Sequence, residues 1–98
     1  MEHWLHCQVY PGQFSVEYAV GVRQSDGREV SLFVPQEFVD CPAMPAFDRP
    51  VHGWIKVRPV QQQGELVLVY LPRSTLENGP YITVHADQLR AQPQRQLV

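Results

Sequence analysis

The sequence lacks any long hydrophobic run. Its longest uninterrupted apolar stretch extends from Leu66 to Leu71, far short of the roughly 20 residues that a transmembrane helix needs. The N-terminal stretch MEHWLHC has an acid at position 2 and no basic region followed by an apolar one, so it is not typical of a secretion signal. These features predict a cytoplasmic protein.

Cysteine and lysine are also scarce. The two cysteines, Cys7 and Cys41, are far apart in a chain without a secretion signal. This does not indicate a disulfide framework and predicts reduced, partly buried thiols. Lys56 is the single lysine and the formal net charge is −2, a composition that does not favour polyanion binding. With 44% apolar and 18% charged residues, the chain is globular.

The pentapeptide HWLHC, residues 3–7, brings two histidines and a cysteine close together. In a β-strand, His3 and Cys7 share a face but lie ~13 Å apart at roughly 3.3 Å per residue, too far to bind one ion. A site shared between strands would combine Cys7, Cys41, His52 and His85. No CxxC or HxxxH spacing supports such a site, and the sequence predicts neither a bound metal nor a cofactor.

Catalytic motifs are absent as well: there is no GxSxG elbow and no glycine-rich phosphate loop. Cys41 is the most plausible exposed nucleophile, but its neighbour Asp40 would raise the thiol pKa and so oppose activation. The sequence therefore favours a non-enzymatic protein. The alternative is a small enzyme or metal-binding protein that uses Cys41 and histidines.

What the sequence does contain is strand periodicity. Apolar residues alternate with polar or small ones from Phe14 to Val22, the pattern of a half-buried strand. Ser25-Asp26-Gly27 supplies a turn, and the alternation resumes from Val30 to Val34. The segment predicts a β-hairpin.

A second hairpin is predicted from VHGWIKVRPV and ELVLVYL, with a turn at residues 61–64. Val51, Gly53, Ile55 and Val57 would share one face. The return strand is apolar on both faces, which predicts a central strand covered on both sides. Pro59 cannot donate a hydrogen bond, so its strand is expected to be an edge or to be bulged there.

The hairpins are joined by PQEFVDCPAMPAFDRP, in which Pro35 is expected to begin one helical turn that ends at Val39. The remaining prolines interrupt regular structure, and a connection of this length is usually functional. Phe38, Met44 and Phe47 are expected to pack or to form a binding loop.

The other segments complete the prediction. Ser74 to Glu77 fit a capping box that starts a short helix, PYITVHA is the last full strand, and ADQLR is a closing turn that seats Leu89. HWLHCQVY forms an additional strand. We therefore predict an all-β fold, a small five- to six-stranded barrel or sheet roll with one or two short helical turns. It forms one domain over residues 1–90, followed by a flexible polar tail at 91–98.

The predicted outer face carries the candidate binding residues. Phe33 and Trp54 are large aromatics at outward positions, which are typical interface anchors, and Lys56 and Arg58 share the strand face of Trp54. We expect a module that binds a protein partner or associates with itself as a homodimer. The alternative is a nucleic-acid-binding barrel that uses Trp54, Lys56 and Arg58 for base stacking and phosphate contacts.

Overall fold

The computed structural model describes residues 2–91, which form eight β-strands and two single turns of 3-10 helix. The strands are β1 (His3–Pro11), β2 (Glu17–Arg23), β3 (Glu29–Pro35), β4 (Val39–Asp40), β5 (Val51–Gln63), β6 (Leu66–Tyr70), β7 (Tyr81–His85) and β8 (Leu89–Arg90). The 3-10 turns span Gln36–Phe38 and Ala86–Gln88. The predicted all-β class is confirmed. Across the described range, no helix has the length and apolar character needed to cross a membrane.

The strands form one antiparallel sheet that curls into a half-barrel. Six strands follow the order β3-β2-β1-β5-β6-β7, while β4 pairs with β5 and β8 pairs with β1. Both predicted hairpins are present, as β2–β3 and β5–β6. The predicted N-terminal strand is β1, which pairs with β2 and β5 and therefore lies near the middle of the sheet.

Strand β5 belongs to both halves of the sheet. Its residues 51–57 pair with β1, and its residues 58–63 pair with β6. A register shift between Pro59 and Gln61 leaves Val60 as an extra residue, so the bulge predicted at Pro59 is confirmed. The turn is shorter than predicted, because β5 continues to Gln63 and Gly64 takes the positive φ of 63°.

The concave face of the sheet is the hydrophobic core. The alternation of each strand places every second side chain there; the fully buried large residues are Leu5, Val9, Val20, Val22, Val30, Leu32, Val34, Ile55, Val69, Leu71 and Val84. Three members of the predicted alternating set are not among them: Tyr18 is half-buried, and Phe14 and Val16 are exposed. Phe14 and Val16 precede β2, which begins at Glu17, and their side chains are 68% and 72% exposed. Their assignment to a half-buried strand was wrong.

Strand β6 is central but is not covered on both sides. It pairs with β5 and β7, and Val67 and Val69 are buried in the core. Leu66 lies on the opposite face and is substantially exposed. The prediction of a doubly covered strand was wrong, because no second layer packs on the outer face of β6 within the described residues.

The capping-box helix predicted at Ser74 does not form. Thr75 instead closes a turn: its hydroxyl oxygen accepts a hydrogen bond from the Asn78 amide at 2.8 Å and donates one to the Asn78 carbonyl at 2.7 Å. Glu77 accepts a hydrogen bond from the Ser31 amide at 2.9 Å, and the Leu76 amide donates to the Ser31 carbonyl at 2.7 Å. The segment covers the edge of β3 because those edge groups need partners.

The C-terminal part of the sheet agrees with the prediction. Leu89 follows the 3-10 turn, pairs with Leu5 and packs against the core. Of the predicted tail at 91–98, only Ala91 lies within the described residues.

Both cysteines are free thiols, with Cys7 buried and Cys41 half-buried.

Candidate functional site

An apolar groove lies between two loops at one end of the sheet. The first loop joins β1 to β2. Here the Glu17 side chain folds back and accepts a hydrogen bond from the Gln13 amide at 3.1 Å, while the Glu17 amide donates to the Phe14 carbonyl at 3.2 Å. A Cβ on Gly12 would lie 2.5 Å from the Glu17 carbonyl oxygen, so only glycine allows this close return. The turn leaves the Phe14 ring pointing into solvent.

The second loop joins β4 to β5 and includes Met44 and Phe47 of the predicted binding loop, whereas Phe38 lies before β4 in the first 3-10 turn. Ala46 and Arg49 exchange two backbone hydrogen bonds, of 3.1 and 3.0 Å, which hold Phe47 at the tip of a tight turn. The Phe47 side chain is 83% exposed and Met44 is 84% exposed, whereas Pro45 is buried. The expectation that Phe47 and Met44 pack within the chain was wrong.

Gln36 connects the region after β3 to the first loop. Its amide donates to the Val16 carbonyl at 3.0 Å, and its side-chain amide donates to the Ser15 carbonyl at 2.8 Å. The space between the two loops is open and has a volume of about 440 Å³. We call it the loop groove. Its lining residues are Pro11, Gly12, Gln13, Phe14, Ser15, Glu17, Tyr18, Gln36, Met44 and Pro45. The two loops therefore form one concave surface, in which apolar side chains stand beside the polar residues Gln13, Ser15 and Gln36.

Cys41 lies on the core side of this region. It packs against the core, and the site for a Cβ on Gly53 is 3.0 Å from the Cys41 Cβ. Burial, the charge of a Cys41 thiolate and a hydrogen bond to Cys41 raise the pKa of Tyr18. Burial and then the same thiolate raise the pKa of Cys7, so Cys7 is a protonated core group at neutral pH.

Cys41 and the nearby histidines lie on opposite faces of the sheet. His6 and His52 belong to the outer face, the convex face turned away from the core, where their rings stack at 5.1 Å. Nucleophilic catalysis by Cys41 would require a base next to its thiol. The structure places neither the His6 nor the His52 imidazole there. In residues 2–91, no group of three or more His, Cys, Asp and Glu side chains is placed to hold a metal ion.

On the outer face, Trp54 is the centre of an aromatic and cationic cluster. The Arg90 guanidinium lies 4.8 Å from its ring centroid, and His6 meets it edge-on at 5.4 Å. Burial, followed by the charges of His52 and Arg90, lowers the pKa of His6. These contacts occupy the Trp54 ring within the chain, which leaves less of it for stacking with a base.

The predicted surface residues are distributed over several strands. Phe33 is on β3 and Trp54 on β5, with β2 and β1 between them, which is roughly 14 Å across the strands at about 4.8 Å per strand. The register also offsets them by four residues along β1. Lys56 forms an ion pair with Glu2 at 3.0 Å. Arg58 lies over the Tyr70 ring at 5.0 Å.

Phe38 belongs to a different surface from Met44 and Phe47. It lines a small recess of about 190 Å³ together with Lys56 and Arg58. Phe38 of the predicted binding loop therefore lies beside Lys56 and Arg58 of the predicted binding face. Met44 is the groove residue that the sequence had identified as a candidate. Phe14 and Tyr18 are among those it did not identify, although Pro11-Gly12 indicated a turn just before them.

Comparisons of this chain with protein-family models, curated proteins and solved structures give no match. The candidate function therefore depends on the geometry of the chain itself.

Proposed function

We propose that this protein is a non-enzymatic binding module that recognises a segment of another protein in the loop groove. The observation that carries the proposal is the exposure of large apolar side chains on both sides of the groove, with Phe14 at 68% and Met44 at 84%. Apolar residues exposed singly are ordinary, whereas apolar groups gathered around a concave surface are typical of interaction sites.

The energetics are adequate for specific binding. Complete burial of one phenylalanine side chain contributes about 1.5–3 kcal/mol. Phe14 and Met44 are exposed in the groove lining, and Phe47 is exposed on the same loop as Met44. The Ala46–Arg49 hydrogen bonds already fix the turn that carries Phe47. A partner therefore loses less affinity to the ordering of this loop than it would with a mobile loop.

The proposal is tested by selecting peptides from a displayed random library on the immobilised wild-type protein and measuring their affinity by calorimetry. We expect Phe14→Ser to lower the affinity of the selected peptides for the protein by at least about tenfold, the equivalent of about 1.4 kcal/mol. Leu76→Ser is the matched control, because Leu76 is 67% exposed but lies in the loop before β7. Circular dichroism checks that both variants keep the fold. Peptides that bind Phe14→Ser as tightly as wild type would contradict the proposal.

A further inference from the structure

We infer that the partner of the loop groove is a basic segment, in which a large apolar residue stands next to lysine or arginine, and not a second copy of this chain. This inference rests on the proposed function and adds the chemistry of the partner to it. The observation behind it is the distribution of charge around the groove.

The segments that build the groove, residues 11–18 and 36–50, are acidic. They carry four acids, Glu17, Glu37, Asp40 and Asp48, against one base, Arg49, which gives a net charge of −3. The complete chain has a net charge of −2. The negative charge is therefore concentrated at this end of the molecule, and the rest of the chain is close to neutral or weakly basic.

Two of these carboxylates are available to a ligand. The side chains of Glu37 and Asp48 are exposed, and neither takes part in an ion pair within the described residues. Among the groove-lining residues Glu17 alone is charged. Glu37 follows the lining residue Gln36 in the chain, and Asp48 comes three positions after the lining residue Pro45, so both acids belong to the segments that carry the groove. A ligand that places an apolar side chain between Phe14 and Met44 would meet these charges with the residues beside its anchor.

The same charges oppose self-association through the groove. Two copies that met groove to groove would bring two surfaces of the same sign together, and like charges at an interface disfavour the complex. Docking of the groove on the outer face of another copy gains little, because most cations there already have partners. Lys56 is paired with Glu2, and the guanidinium groups of Arg58 and Arg90 lie over aromatic rings. Arg23 has no ion pair within the described residues, but it lies opposite the acid Glu29 on β3.

The experiment uses three fluorescein-labelled peptides of equal length on the wild-type protein. The first has a leucine and a tryptophan flanked by arginines, the second has the same apolar residues flanked by glutamines, and the third keeps the arginines but replaces the apolar residues with serine. Fluorescence anisotropy at low and high salt gives the affinities. We expect the first peptide to bind roughly tenfold more tightly than the second at low salt, with the difference decreasing as salt screens the charges.

Variants assign the effect to the groove. We expect Glu37→Lys/Asp48→Lys to abolish the preference for the basic peptide. The control Glu65→Lys/Asp87→Lys makes the same change of charge at exposed positions outside the groove and should retain the preference. Phe14→Ser should weaken both apolar peptides, which tests the proposed function separately from the charge of the partner.

Three outcomes would overturn the inference. The first is equal binding of the basic and neutral apolar peptides, which leaves the groove as a binding site but removes the charge preference. The second is a dimer, detected by sedimentation of the wild-type protein, that dissociates in Phe14→Ser. A monomer that binds the serine peptide as tightly as the first would show that charge alone acts, and the groove would then fail as an apolar site.

Discussion

Single side chains on the outer face interact through rings and charges more than through hydrogen bonds. His6 contacts the rings of His52 and Trp54, and the Arg90 guanidinium lies over the same Trp54 ring. An imidazolium at His6 would lose part of its hydration, and it would also be close to a second histidine and to a guanidinium. The folded protein therefore favours the neutral form of His6.

This preference makes the stability of the fold depend on pH. The pKa of His6 is lower in the folded protein than in the unfolded chain, so the unfolded chain binds more protons once the pH falls below about 6.5. Stability should therefore decrease as the pH falls from about 6.5 through the folded-state pKa, and remain independent of this group at higher pH. Urea denaturation at a series of pH values should show this slope, and it should be smaller in His6→Gln.

His3→Gln is the control, since it removes a histidine from the same strand without removing the contacts of Trp54. A second check is NMR titration of His6 in His52→Gln. Removal of the neighbouring imidazole should raise the pKa of His6 toward its ordinary value. An unchanged titration in that variant would show that His52 does not act on His6.

Residue-level environments of this kind could not be predicted from the sequence. The strand pattern placed Trp54 and Lys56 on one face, which the register confirms. That Arg90 would cover the Trp54 ring depends on the pairing of β8 with β1, a contact between the two ends of the chain. Likewise, Gly53 faces the core, and a Cβ added to Gly53 would lie 2.9 Å from both the Val9 side chain and the Asp40 carbonyl oxygen. Nothing in the local sequence indicates these two neighbours.

At the level of elements, the hairpins were predictable and the loops were not. Strands β2, β3 and β5 follow from local alternation and turn residues, which depend on neighbouring residues alone. The segment from Ser74 to Glu77 has a helix-start pattern, yet it pairs with the edge of β3 through Leu76 and Glu77. Its structure is set by a strand more than forty positions away in the chain.

The two interpretations of this segment predict different sensitive residues. Thr75 is buried, and its hydroxyl bonds both the amide and the carbonyl of Asn78. We expect Thr75→Val to lower the free energy of unfolding by about 1–2 kcal/mol, because the turn loses its hydrogen bonds while the volume of the side chain is kept. Ser74→Ala, which would cost about 1 kcal/mol if Ser74 capped a helix, should change it by less than about 0.5 kcal/mol. Urea denaturation measures both, and a larger loss in Ser74→Ala than in Thr75→Val would contradict the observed turn.

For the whole molecule, one continuous core joins the two halves of the sheet. Strand β5 pairs with β1 before its bulge and with β6 after it, and the side chains buried by both halves belong to a single cluster. The Ser25 amide also donates to the Thr83 carbonyl at 2.8 Å, which links the β2–β3 turn to β7. The sequence predicted five or six strands and two hairpins. That β5 pairs with both β1 and β6, and so belongs to both halves of the sheet, follows only from the register.

This connectivity predicts that the two halves unfold together. Both tryptophans lie in the half formed by β1 and β5, so tryptophan fluorescence reports on that half, whereas far-UV circular dichroism reports on the complete sheet. Because loss of either half would expose core residues of the other, the two urea transitions should superimpose, as expected for a small two-state domain. Native-state hydrogen exchange provides the control, since the amides of Val20 in β2 and Val69 in β6 should exchange with the same global free energy. A fluorescence transition at lower urea than the circular dichroism transition would instead mean that the bulge at Val60 separates two independently stable halves.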